Sequence, residues 1–151
     1  MLIRIAEAKD ESALLVLRND HVTRANSFQT ELISPENHHI WFTKKLTDQN
    51  SCIYILENET QQLIGQARYD KLDNMSAEVN IALDSNYRGK GLGKEILSKS
   101  LKLAITQLAI KHIFAQVKAD NVISQKLFLS CGFEFFSESP PILKFIYRSE
   151  R

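Results

Sequence analysis

The chain has 151 residues, 44% of them hydrophobic and 25% charged, with a net charge of +1. That length carries one domain over 1–151 with a real core, and the balanced charge excludes a general electrostatic pull toward nucleic acid or an anionic membrane. Any basic patch has to be local.

Cys52 and Cys131 stand alone without C-x-x-C spacing, and the N-terminus reads as neither a signal peptide nor a membrane span. The expected setting is a reducing cytoplasm with both thiols unbridged, no membrane partner and no nucleic-acid partner.

In chain order, Leu2 to Ala6 alternates apolar and polar residues and predicts a first strand. Asp10 or Ser12 then caps a helix with Leu14, Leu15 and Leu17 on its apolar side, ending near Arg18-Asn19-Asp20. His21 to Glu31 has no clear period and reads as a loop or a short helix. Ser34-Pro35 is a strong helix start, and the helix to about Leu46 is expected to bury Trp41, Phe42 and His38 on one side. Cys52–Leu56, Leu63–Tyr69 and Met75–Leu83 read as three strands with short polar connections, an antiparallel meander.

Next comes Asp84-Ser85-Asn86-Tyr87-Arg88-Gly89-Lys90-Gly91-Leu92-Gly93-Lys94, three glycines at alternate positions among cationic side chains. Without Cβ atoms in the way, backbone N–H groups can turn toward one anion, and a following helix adds its positive end. Leu97, Leu101, Ala104 and Leu108 give that helix an apolar face from Leu92 to Leu108. Ile113–Val117 is the next strand, so strand, helix and strand form a βαβ crossover with the cradle at the strands' carboxyl ends. Asp120 or Asn121 caps a further helix stopped by Gly132, and two strands around Pro140-Pro141 close the chain. The fold class is therefore α/β: a mixed, mostly antiparallel sheet of six or seven strands with helices on both faces.

The cradle is not a Walker A loop, because only three residues separate Gly89 from Gly93 and Glu95 follows Lys94 where Ser or Thr is needed. A dinucleotide fingerprint also fails on spacing and on its missing acidic residue. Arg88-x-x-Gly91-x-Gly93 at a strand-to-helix junction resembles the acyl-CoA pyrophosphate loop of the GNAT superfamily of N-acyltransferases. Asn121-x-x-Ser124-x-x-x-Phe128-x-x-x-Gly132-Phe133 resembles that superfamily's second signature, and the two occur in the expected order.

The resemblance implies the GNAT fold with a splayed sheet, and acetyl-CoA as co-substrate. It implies that Ile81, Ala82 and Leu83 pair with the pantetheine arm through their backbone. Arg88, Gly89, Lys90, Gly91, Leu92, Gly93 and Lys94 would then hold the pyrophosphate, with Asn121 and Ser124 near the thioester. Asn121 is also readable as a plain helix cap, and the resemblance favours a dual role.

The N-terminal half adds a narrower resemblance, carried by Arg18-Asn19-Asp20, Arg24, Ser27-Phe28 and Glu36-x-His38-x-x-Trp41-Phe42. These residues look like the acetyltransferases of nonulosonic (pseudaminic) acid pathways, which act on a nucleotide-linked amino sugar. Arg18, Asn19, Arg24, His38 and Trp41 become acceptor-binding candidates, since arginines suit a diphosphate and an aromatic ring suits a base.

Amide formation from a thioester needs a base for the incoming amine. Glu78 is the first candidate, because it shares a strand face with Asn80 and Ala82, and His38 is the second. Two departures from relatives matter. Gln116 stands where ribosomal-protein-type enzymes carry a glutamate base, and Phe128 stands where many members protonate the thiolate with a tyrosine. Tyr54 and Tyr87 offer hydroxyls with nothing to bring them to the sulfur.

No metal spacing and no nucleophile elbow is present. The expected function is transfer of acetyl to a primary amine of a nucleotide-linked amino sugar in a ternary complex. The alternatives are a protein N-terminal or polyamine acetyltransferase, or a non-catalytic acyl-CoA-binding module. Monomer and homodimer both stay open.

Overall fold

The computed structural model describes residues 1–149, so the last two positions of the expected domain lie outside it. Among the described residues the strands are β1 (Leu2–Ile5), β2 (Ser51–Glu57), β3 (Leu63–Lys71), β4 (Ser76–Leu83), β5 (His112–Lys118), β6 (Glu134–Ser139) and β7 (Ile142–Arg148). The helices are α1 (Glu11–Asn19), α2 (His21–Ala25), α3 (Pro35–Thr47), α4 (Leu92–Leu108) and α5 (Val122–Ser130). The strands form one sheet in the order β1-β2-β3-β4-β5-β7-β6, antiparallel except for the β4–β5 pair.

Register sorts the side chains. Tyr54, Ala67, Tyr69, Ala77 and Val79 fall on the face that α4 covers with Ile96, Leu97, Leu101, Ala104 and Leu108. The Tyr69 hydroxyl and Ser100 Oγ are 2.7 Å apart in this core, so neither buried oxygen lacks a partner. Ile53 and Ile55 fall on the opposite face and pack with Leu14, Leu17 and Phe42 from α1 and α3. Helices on both faces are thus observed, as the sequence predicts.

β4 and β5 part early, and this positions the site. They pair only from Ser76 opposite His112 to Glu78 opposite Phe114. β4 goes on pairing with β3 to Leu83, and β5 with β7 to Lys118. Beyond Glu78 the facing edges of the two strands therefore leave a V-shaped notch of unpaired backbone.

Local signals mostly hold. Ser34 Oγ accepts from Asn37 N–H at 3.1 Å with Pro35 at the first helical position, and Gly132 ends α5 with φ +92°. Asp20 caps the short α2 through the amides of Val22 and Thr23. Asp10 departs from expectation: it precedes α1, but its carboxylate does not cap that helix. Arg4 donates to both its oxygens at 2.8 and 2.7 Å, the Glu7 amide donates at 2.7 Å, and Arg4 Nε also reaches Glu57 at 3.0 Å. A buried pairing in the tertiary structure has displaced a local one.

Burial acts to raise the Asp10 carboxyl, but the hydrogen bonds from Arg4 and Glu7 outweigh it and hold it below its ordinary 3.8. Asp70 is also held below 3.8, burial again being outweighed by Arg68, Lys45 and Ser51. A depressed carboxyl adds stability that is complete above the unfolded pKa and lost as pH falls through the folded one. The share owed to these two carboxyls should be constant from neutral pH to about pH 5 and be lost below pH 3.8. A melting series across pH 2–7 checks it: a decline between 7 and 5 belongs to His38, whose burial holds its pKa below 6.5, and no further drop below pH 3.8 would contradict the assignment.

Candidate active site

The glycine loop lies where β4 hands over to α4, at the open end of the notch. Gly89 and Gly91 have φ of +75° and +78°, a region costly for other residues, and a Cβ on either would meet nothing within 4 Å. The first α4 backbone bond runs from Glu95 N–H to the Gly91 carbonyl at 3.3 Å. The amides of Leu92, Gly93 and Lys94 therefore have no intrahelical acceptor and sit at the positive end of a 17-residue helix. Lys90 and Lys94 are exposed beside them. This open cradle fits a diphosphate, and the unpaired edge of β4 at Ile81, Ala82 and Leu83 fits an extended amide-bearing arm.

Two loop residues are engaged elsewhere. Gly93 is buried, and a Cβ there would press on Leu127 of α5 at 3.3 Å, so its missing side chain serves helix packing. The Arg88 guanidinium donates to Asp20 at 2.6 Å and to Thr23 Oγ1 at 3.2 Å, tying the loop to α2. Both bonds use Nη2, which leaves Nη1, Nε and the backbone amide of Arg88 for an anion.

Across the notch, Asn121 caps α5. Its Oδ1 accepts from the Ser124 amide at 3.2 Å, and its Nδ2 donates to Ser124 Oγ at 3.0 Å. The capping is observed, and the cap follows β5, one wall of the notch, three residues after its end. Phe128 is buried edge-to-face on Phe133 at 5.0 Å, an apolar contact with no proton to give. Tyr54 lies in the α4-side core, where burial pushes its hydroxyl pKa up. Tyr87 donates its hydroxyl to Gln62 at 3.2 Å, on the β2–β3 turn.

Glu78 is the last β4 residue paired with β5, at the apex of the notch. Gln116 Nε2 donates to its Oε1 at 2.6 Å, so the amide that replaces the relatives' glutamate orients another carboxylate. One step along the same face, Asn80 and Ala82 line a cavity of about 420 Å³ between the sheet, α1, α3 and the segment after α2. His38 is in its wall, 2% exposed, stacked on Phe42 at 5.9 Å, with no hydrogen-bond partner for Nδ1. Burial pushes the His38 pKa below its ordinary 6.5, so the ring is neutral at pH 7.

Arg18 and Trp41 also line the cavity. Asn19 and Arg24 do not, and their side chains hold the segment that covers it. Asn19 exchanges two hydrogen bonds with the Ile33 backbone at 3.0 and 2.9 Å, and Arg24 donates to the carbonyls of Asn19 and Thr30. A second cavity adjoins the first, sharing Arg18, Phe28, Gln29 and Ile33.

Gln66, Arg68 and Asn80 line the inner cavity and were not read as site residues from sequence. A signal for the first two existed: Gln66, Arg68 and Asp70 put polar groups at every second position of a central strand otherwise built from Ile64, Ala67 and Tyr69. No carboxylate lines the inner cavity, and among the described residues no cluster has a metal-ligand set. No helix among them is long and apolar enough to cross a membrane.

Residues 1–134 match the family model described as the acetyltransferase (GNAT) domain. YwnH of Bacillus subtilis (strain 168), whose name provisionally assigns it to phosphinothricin acetylation, is 29% identical over 148 residues, 94% of this chain and 89% of that protein. Acetyltransferase PseH of Campylobacter jejuni is 27% identical over 128 residues, covering 85% of this chain and 80% of its own. Among solved structures, spermidine N-acetyltransferase from Vibrio cholerae in complex with CoA and spermine superposes with a TM-score of 0.86 at 21% identity. The match covers 98% of this chain and 95% of that one, and at such identity it speaks for the fold.

Proposed function

We infer the acceptor from one premise: the chain belongs to the acetyltransferase (GNAT) domain family and is an acetyl-CoA-dependent N-acetyltransferase. The reading we propose is acetyl transfer to the primary amine of a nucleotide-linked amino sugar. One observation carries it: Arg18 stands between two joined cavities, and the inner one is lined by arginines with no carboxylate. The amino sugar would occupy the inner cavity, its diphosphate would meet Arg18, and the base would extend past Phe28 into the outer one. The likeness to PseH supports the same acceptor class. A polyamine fits this lining poorly, because a chain of ammonium groups calls for carboxylates where this cavity offers cations.

Acetyl-CoA supplies an activated acyl group on a thiol that leaves readily. The protein's own part begins with the amides of residues 89–94 and the open edge of β4, which hold the two ends of that co-substrate along the notch. Glu78 at the apex takes the proton from the acceptor ammonium, while Gln116 holds the carboxylate in place. The freed amine forms the new N–C bond as the C–S bond breaks; the nitrogen then sheds its second proton to water, and the thiolate takes its proton from water, since Phe128 has none to offer. The orphaned Nδ1 of His38 is a hydrogen-bonding group for an acceptor hydroxyl.

The test is thiol release from acetyl-CoA with a panel of amines. A nucleotide-linked amino sugar should exceed spermidine and N-terminal peptides by at least about 100-fold in kcat/KM, as a cationic pocket discriminates. Turnover confined to spermidine or to peptides would replace this reading with the corresponding alternative.

A further inference from the structure

Arg68 has a geometry that a purely structural ion pair does not need. On β3 it lies beside Asn80 in register, in the wall of the inner cavity. Its Nε donates to Asp70 Oδ2 at 2.9 Å, and its guanidinium carbon stands 5.0 Å from the centroid of the Trp41 ring. Asp70 is fully occupied: its other oxygen accepts from Lys45 Nζ at 2.6 Å and Ser51 Oγ at 2.7 Å. The side edge of the guanidinium is thus fixed, the ring supports its plane, and neither terminal nitrogen has a hydrogen-bond partner among the described residues. Charge points the same way. Arg68 and Lys45 share one carboxylate, and among the described residues Arg18 on the same cavity donates only to the neutral carbonyl of Glu31.

We propose that Arg68 is the anchor of an oxyanion subsite inside the acceptor cavity, presenting its two terminal nitrogens as a fork to a phosphoryl or carboxylate group of the acceptor. The inference rests on the reading of this cavity as the acceptor site, and it adds a requirement: the amine acetylated here carries its own anion within the inner cavity. A fork fixed at Nε and stacked on a ring loses little freedom on binding, which makes a planar two-point contact favourable. Lysine in the same place would keep the charge and lose the fork.

Trp41 is the sole tryptophan, so its fluorescence reports on what binds to Arg68. The experiment titrates the protein, saturated with coenzyme A to fill the glycine loop, with methylphosphonate, acetate and uncharged glycerol. A saturable change in Trp41 emission with methylphosphonate or acetate, and none with glycerol, is the expected result. The anion that binds more tightly identifies a tetrahedral or a planar acceptor group.

Arg68→Met should weaken that binding about 10- to 100-fold and Arg68→Lys by an intermediate amount, as expected for loss of a charged two-point hydrogen bond. Asp70 retains Lys45 and Ser51 in both variants, and a single cooperative melt with the wild-type circular dichroism spectrum verifies the fold. An absence of saturable change up to about 100 mM anion, roughly the weakest contact worth calling a site, overturns the subsite. Equal binding by wild type and Arg68→Met does so as well. Failure of the nucleotide-sugar reading looks different: anions still bind through Arg68, while the acceptor panel shows no turnover with the nucleotide sugar.

Discussion

Glu78→Gln will slow acetyl transfer by about 10²- to 10⁴-fold, the usual worth of a positioned general base, and will leave affinity for acetyl-CoA unchanged. The substitution keeps size and polarity and removes only the ability to accept a proton. Its site at the apex of the notch lies off the glycine loop, so the co-substrate's contacts are untouched. Only one Glu78 oxygen is taken by Gln116, which leaves the other for the amine or an intervening water. Single-turnover kinetics with titration of coenzyme A separate the two effects. A wild-type rate in Glu78→Gln, together with collapse of the rate in His38→Gln, would transfer the role to the neutral imidazole in the cavity wall.

Arg4→Met is expected to destabilise the fold by about 3–5 kcal/mol, the range for breaking a buried charge cluster by removing one side. The side chains of Asp10 and Glu57 are 7% and 8% exposed, and Arg4 is the cation that bridges them. Without it two buried carboxylates lose their shared cation. A domain of ordinary stability would keep only a few kcal/mol. The pH signature is specific: without Arg4, burial pushes the Asp10 carboxyl up, so the variant gains on the wild type as pH falls toward 4. Urea midpoints at pH 7 and pH 4.5 measure both effects. A midpoint at pH 7 equal to the wild type's would show the cluster to be dispensable.

What the sequence reveals about this molecule follows from where each demand originates. The glycine loop is legible because its requirement lies within a few consecutive residues: positive φ at Gly89 and Gly91 and a helix start just after them. Ser34-Pro35 and Gly132 are legible for the same reason. Asp10 misleads because a local pattern consistent with capping gives no hint that Arg4, six residues earlier, will claim the carboxylate.

Asn19 and Arg24 have the right chemistry for an acceptor, but the backbone of the covering segment uses it first. Gln66, Arg68 and Asn80 escape notice because their meaning arises across strands, from the register that sets Arg68 beside Asn80 and Gln66 beside Ala82. Arg88 is identified by its motif, yet its guanidinium answers to Asp20, 68 residues earlier in the chain.

The early parting of β4 from β5 gives one strand two independent readerships. Its rim presents main-chain groups, which any amino acid supplies, whereas its flat side presents Glu78, Asn80 and Ala82, which only those residues supply. Divergence can therefore rewrite which amine is chosen while the grip on the shared donor stays constant. An architecture of this kind can be retuned for a new acceptor one alternate position at a time.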